Sequence, residues 1–393
     1  MKVGWKRRQL AEVLRIQNGY AFDAKKFNPS KGMPLVRIRS LKLGVETETW
    51  FDGPYDSRYI VNAGDLLIGM DGEFGCFEWK GPPSLLNQRV CRLQDFTGEL
   101  IPRFLLYGIN DYLKEIEAAT GFATVKHLSS KQVLGIEFPV PPLQEQHRIV
   151  AILDAAFDGI ATAKANAEQN LQNARALFES QLQKVFTERG AGWVETTLGA
   201  EIDLLVGFAF KSANYSASEG DIPLLRGDNI VQGNLRWDDV RRWSKYDTAA
   251  YDRYWLREND VVLAMDRPWV KAGLKHSLIT ADDLPCLLVQ RTASLRCKSN
   301  LVSRFLLYLV RNNAFIQHIL GVQTGIGVPH ISGQQIKDFA FARPPTAQQE
   351  QIAASLDKLS EETQRLESLY QQKLAALEEL KKSLLHQAFS GQL

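Results

Sequence analysis

Two hydrophobic rhythms alternate along the chain. Over residues 1–142 and again over 189–345, short apolar runs are separated by Gly, Pro, Asp and Asn. PLVRIRSL (34–41), DLLIGM (65–70), CRL (91–93) and IEFPV (136–140) belong to the first stretch. PLLRG (223–227), DVVLAM (260–265), SLRC (294–297) and FAFARP (339–344) belong to the second. Apolar runs this short, bounded by turn residues, predict strands. RFLLYGINDYLKEIEAA (103–119) and RFLLYLVRNNAFIQHIL (304–320) carry helical spacing instead. Between and after these stretches the rhythm changes. Residues 143–187 hold no proline, and only Gly159 interrupts them. Their apolar positions run Ile149, Leu153, Ala156, Ile160, Ala163, Ala167, Leu171, Ala174, Leu177, Leu182, Val185. A second series runs Ile352, Leu356, Leu359, Thr363, Leu366, Tyr370, Leu374, Leu377, Leu380, Leu384, Ala388. Steps of three and four, with one of five from Leu177 to Leu182, held this long describe a coiled-coil seam. Each predicted helix has about 45 residues and so about 65 Å of length.

The two series belong to a duplication. PPLQEQHRIVAILD begins at Pro141 and PPTAQQEQIAASLD at Pro344, and they align without a gap. LFESQLQKVF (177–186) and LKKSLLHQAF (380–389) continue the match at the same offset. Upstream, NGYAF pairs with VGFAF, PLVRI with PLLRG, AGDLLIGMDG with ENDVVLAMDR, NQRV with VQRT, and RFLLY with RFLLY. ATGFATVKHLS (119–129) pairs with QTGIGVPHIS (323–332). The plan is therefore domain, helix, domain, helix, divided at 1–142, 143–188, 189–345 and 346–393. Residues 42–86 and 231–288 share little beyond one strand and its Met-Asp, so the scaffold repeats while the inserts differ. A helix this long needs a partner, and the matched lengths favour the other copy, laid antiparallel. Packing of each helix on its own domain, or homodimerisation, are the alternatives.

Composition narrows the class. The chain has 393 residues, 45% of them hydrophobic, too long for one ordinary core. The net charge of +2 restricts any nucleic-acid surface to a local patch. Cys76, Cys91, Cys286 and Cys297 form no CxxC pair, and the six histidines complete no zinc pattern. Sparse cysteine, with neither a signal peptide nor an apolar run of membrane-spanning length, leads us to expect a cytoplasmic protein.

Catalytic motifs are not found: no phosphate loop, nucleophile elbow, metal-binding helix or NPPY-like tetrapeptide occurs, and TGIG at Thr324 is too short to count. Asp71 with Glu78 and Lys80 imitates a metal-nuclease site, but the second copy lacks the Glu–Lys pair. His127 and His330 occupy equivalent places, which a loop-tying hydrogen bond explains better than catalysis. Asp71 and Asp266 each follow a methionine after a strand and read best as turn caps.

Basic residues say more. In and beside the first insert lie Lys25, Lys26, Arg37, Arg39, Lys42 and Arg58. Around the second lie Arg226, Asn229, Arg236, Arg241, Arg242, Lys245, Arg267, Lys271 and Lys275. Trp50, Phe51, Tyr55, Tyr59, Trp237, Trp243, Tyr246 and Trp269 interleave with them. Arg and Lys neutralise phosphates, and Arg and Asn read base edges. Any one of these residues reads best as solvated loop or core. The set favours nucleic acid, with a duplicated protein-interaction scaffold as the alternative.

The paired PPLQEQHRIVAILD and PPTAQQEQIAASLD segments, NGYAF/VGFAF, PLVRI/PLLRG and the closing AFSGQL resemble the specificity subunit of type I restriction–modification systems, across essentially the whole chain. Thr346-Ala347 stands where the first copy has Leu143-Gln144. The resemblance implies an α+β fold: two similar, mostly-β target recognition domains, each followed by a long helix, the helices forming an antiparallel coiled coil. Each domain would read one part of a bipartite, asymmetric DNA target. The seam residues Ile149, Leu153, Ile160, Leu171, Leu177, Ile352, Leu356, Leu366, Leu377 and Leu384 would build the helix pair that docks two modification subunits. Restriction subunits would join these. The chain itself would be non-catalytic and hold no metal or cofactor. S-adenosylmethionine, ATP and magnesium would sit on the partners.

Overall fold

The computed structural model describes every residue except 1–3, 44–46, 121–125 and 326–327, and leaves the side chains of Lys42 and Leu43 undescribed. Parts of the ATGFATVKHLS and TGIG segments and the Lys42 side chain therefore lie outside the described residues. The chain divides into two compact units, Met1–Glu168 with Gln372–Leu393, and Gln169–Gln371. Each is a domain, part of one long helix and part of the other.

In the first unit, a four-stranded antiparallel sheet runs in the order Arg15–Asn18, Val90–Gln94, Leu66–Gly69, Gly75–Glu78. Leu66, Ile68, Cys91 and Leu93 meet Phe104, Leu105 and Ile109 of the helix Pro102–Ala119 in the main core. A second sheet joins Phe27–Asn28, Trp50–Phe51, Met33–Val36, Ser84–Leu86 and Ile60–Val61, and carries the insert. Within it Leu35 pairs with Leu85 in parallel.

The second unit repeats this plan. Its four strands run Ile202–Val206, Thr292–Cys297, Val261–Ala264, His276–Leu278. Its smaller sheet again holds a parallel pair, Leu224 with Leu287. The fold is α+β, as the sequence predicted, with two local corrections. PLVRIRSL is not one strand: the strand ends at Val36, and Ile38–Leu43 is helical. The helix predicted over 304–320 breaks at Asn312, whose side chain accepts from Ala314 N at 2.8 Å and starts a new helix, Asn313–Val322.

The long helices span Leu143–Thr187 and Thr346–Ser390. Their duplicated starts have a physical reason. Gln146 is fully buried; its amide donates to the carbonyls of Pro141 (2.8 Å) and Glu99 (2.7 Å), and its oxygen accepts from Ile101 N (2.9 Å). Gln349 does the same with Pro344 (2.8 Å), Asn300 (2.8 Å) and Val302 (2.9 Å). Two turns on, Asp154 accepts from Arg103 at 2.7 Å and from the Tyr107 hydroxyl. Asp357 takes Arg304 at 2.9 Å and Tyr308 at 2.6 Å. The repeated RFLLY and Leu-Asp motifs are the two halves of this junction. Partial burial opposes ionisation of Asp154, but its hydrogen bonds from Arg103 and Tyr107 outweigh that and hold its pKa below the usual value.

Within each unit the two helices run antiparallel. In the first, Lys164 pairs with Glu378 at 2.8 Å and Arg148 donates to the Leu393 carbonyl at 2.6 Å. In the second, Arg175 pairs with Glu367 at 3.0 Å, and Leu182 packs with Leu356. Each domain also receives the far end of the other copy's helix. Phe389 lies 5.0 Å from Phe104, and Phe186 lies 5.2 Å from Phe305. Ile149, Leu153 and Leu356 are buried, while Ile160, Leu171, Ile352, Leu366, Leu377 and Leu384 are half-buried. Leu177 departs from the expected seam: it is 52% exposed, and Phe178 is buried against Tyr308 and Leu356 instead. The stripe advances Ala174, Phe178, Leu182 in steps of four, following the 3.6-residue turn where the sequence reading kept a step of three. Leu380, also on the expected seam, is 47% exposed.

Replacing Gln146 by Leu leaves one N–H and two carbonyls without their side-chain partner at a buried position. We expect a loss of about 2–4 kcal/mol in urea unfolding, against under about 0.5 kcal/mol for the exposed control Gln144→Leu.

Candidate nucleic-acid interface

The first insert and its borders present Lys25, Lys26, Arg37, Arg39 and Arg58 as exposed side chains. Asp23 and Asp56 cap the short 3-10 turns that hold Lys25, Lys26 and Arg58, so loop chemistry places these cations. Arg58 rests over the Tyr59 ring at 4.8 Å and pairs with Asp56 at 3.2 Å. Of the nearby aromatics, Phe51 is core, Tyr59 packs on Tyr20 and Phe22, and Tyr55 is exposed. Trp50 lies half-buried in the insert sheet.

In the second unit the residues separate by role. Arg236, Arg241, Lys245, Arg267 and Lys271 are exposed. Arg226, half-buried, pairs with Asp228 at 2.9 Å. Arg242 donates to the Asp221 carbonyl at 3.1 Å, closing the loop it borders. Asn229 corrects the sequence reading. It is 3% exposed, accepts from Arg226 N (3.1 Å) and donates to the Arg236 carbonyl (3.0 Å), so it brackets a loop and reaches no solvent-side ligand. Trp243 is core and Trp237 is held by Asp283, whereas Tyr246 and Trp269 are exposed. Arg226, Arg267, Lys275 and Arg291 line one open cleft of about 360 Å³ with Asp228 and Asp266. Burial, reinforced by Arg236 and Arg267, lowers the Lys275 pKa against the pull of Asp228.

One constellation occurs in both units. His127 Nδ1 lies 2.6 Å from Asp71, and Arg89 Nε 3.4 Å from the same carboxylate. His330 Nδ1 lies 2.6 Å from Asp266, which also accepts from Arg291. In each, the arginine carbonyl accepts from the methionine before the aspartate, at 2.9 Å. Partial burial resists ionisation of Asp266, but Arg291 and His330 prevail and hold its pKa below the usual value. The expected turn-cap role of the aspartates thus becomes a histidine–aspartate–arginine bridge. The arginines were visible in NQRV and VQRT only as repeated letters; nothing local in the sequence tied them to Asp71 and Asp266. Glu78, weighed with Asp71 and Lys80, is held by Arg103 at 3.1 Å. Among the described residues no three His, Cys, Asp or Glu side chains group as metal ligands. No helix there is long and apolar enough to cross a membrane.

Fold and surface together define a class: a duplicated binding protein whose two like domains carry unlike basic inserts and share a pair of long helices. The family follows from comparison. Residues 2–173 and 192–378 match the type I restriction modification DNA specificity domain, and the chain belongs to that family. The EcoBI type I restriction enzyme specificity subunit of Escherichia coli is 28% identical, covering 99% of this chain and 86% of the relative. The MjaVIII specificity subunit of Methanocaldococcus jannaschii is 23% identical over 86% of this chain and 81% of its own. In fold, the chain matches a chain solved in work on complex assembly and conformational transition of the type I R-M system, with TM-score 0.75 and 20% identity over 100% of this chain and 99% of that one. It matches the HsdS subunit of Thermoanaerobacter tengcongensis at TM-score 0.61 and 20% identity, over 100% and 98%. The role in DNA sequence specificity is that of the family.

The strand after Lys275 buries His276, whose Nδ1 faces the Leu274 carbonyl at 3.0 Å and whose Nε2 has no partner among the described residues. Burial pushes its pKa down from 6.5 to about 4. As pH falls, the unfolded chain takes this proton first, so stability drops below pH 6.5 and levels off near the folded pKa. The slope is about 1.4 kcal/mol per pH unit. Urea midpoints of wild type and His276→Phe should diverge between pH 6.5 and 4.5, the variant losing less stability. Parallel curves would contradict the burial.

Proposed function

We propose that each domain reads one part of a bipartite, asymmetric duplex target and that the helix pair sets the separation of the two parts. The observation that carries this is the unequal repetition: one scaffold twice, with unlike basic inserts on it. Cations in the inserts would neutralise phosphates, and a subset would reach base edges. Half-sites on one face of B-DNA recur about every 34–36 Å, a distance that about 45 helical residues exceed. The helices would also dock two modification subunits, which bring S-adenosylmethionine. Restriction subunits would join for ATP- and magnesium-dependent work. The chain would contribute recognition and no catalysis, in the cytoplasm. The relatives' names as restriction-enzyme specificity subunits support this assignment.

Exchanging residues 41–86 for the matching segment of another family member should change one half of the methylated motif. Change in both halves, or in neither, contradicts the division of labour. Inserting one heptad into each helix, after Ala167 and after Ala375, adds about 10 Å. The gap between half-sites should then widen by about three base pairs at roughly 3.4 Å each. An unchanged gap rules out the helices as the spacer.

A further inference from the structure

The histidine–aspartate–arginine bridge recurs in both units with its arginine facing solvent. Asp71 and Asp266 sit beneath, 22% and 20% exposed; Arg89 and Arg291 lie above them, 56% and 63% exposed. Both arginines adopt left-handed backbone, φ +78° and +65°, in the turn leading into a core strand. Gly or Asn fills such a turn at lower cost, since strain there is on the order of 1–3 kcal/mol. An ion pair this exposed offsets little of that cost. Neither the turn nor the pair therefore accounts for arginine at both places. The backbone bonds of Met70 and Met265 and the bridging aspartate do fix where each guanidinium points. Asp71 meets Arg89 at Nε, and Asp266 meets Arg291 at one terminal nitrogen, so other N–H donors of each fork stay available. Each arginine borders an open cleft, of about 320 Å³ in the first unit and about 360 Å³ in the second.

Resting on the DNA-reading assignment above, we propose that Arg89 and Arg291 are paired phosphate contacts, one per domain, each held in place by its aspartate and histidine. Two domains that read unlike sequences have one target chemistry in common, the sugar–phosphate backbone. A device that both keep suits that chemistry, and the unlike inserts suit base edges. The bridge would fix each domain's register on the duplex, leaving selectivity to the inserts.

The test is equilibrium binding of the assembled complex to a duplex carrying its mapped target and to an unrelated duplex, over a salt series. Arg89→Asn with Asp71→Asn, and Arg291→Asn with Asp266→Asn, each remove a contact without changing net charge, and Asn tolerates the backbone. Each pair should lower the salt slope by about 0.9, so the affinity lost between about 50 and 200 mM salt shrinks roughly 3.5-fold. Binding should weaken by a similar factor on both duplexes. Arg89→Lys should keep the slope. Arg89→Asn alone, which leaves the Asp71–His127 bond intact, should show the same drop and serves if the pair variant misfolds. An unchanged slope, or a loss confined to the target duplex, overturns the phosphate assignment. A wild-type complex that binds both duplexes equally overturns the DNA-reading assignment itself.

Discussion

Everything in this molecule depends on how a long helix is rooted in a small domain. The root is a buried glutamine. Gln146 and Gln349 each satisfy one N–H and two carbonyls at the point where the chain leaves its domain and turns helical. A buried amide with every bond made tolerates little change of angle, because each lost bond leaves a desolvated group behind. The Arg–Asp–Tyr cluster two turns on adds a second fixed point. Two anchors on one helix define its direction from the domain; one would leave a pivot.

The far ends complete the construction. Phe389 seals the first domain's core and Phe186 the second's, so each core includes residues from the other copy's helix. Gly108 records the closeness: a Cβ there would lie 2.4 Å from the Phe389 ring. Each core is thus packed in part by residues from a helix end that lies far away in the sequence.

The architecture was legible in the sequence because repeats and helical spacing are one-dimensional signals. The helix starts, the strands at 65–70 and 260–265, and the α+β class all follow from spacing and turn residues. Where the reading missed, the cause was three-dimensional. Leu177 and Phe178 both suit a seam, and only the path around the partner helix decides between them. Asn229 has the chemistry to read adenine, yet its loop folds over it. Arg89 lies far along the chain from His127, and no periodicity links a turn arginine to a distant histidine through a shared carboxylate. The functional surface was legible as a set of charges and illegible as a geometry, since loops place side chains by hydrogen bonds that composition does not encode.

Two different readers acting through one chain leave a signature in the DNA they mark. Mapping methylated bases across the genome of cells that carry the complex tests this directly. A motif of two unlike parts separated by a fixed run of unspecified bases is the result expected. A single uninterrupted motif, or two identical inverted halves, would contradict it.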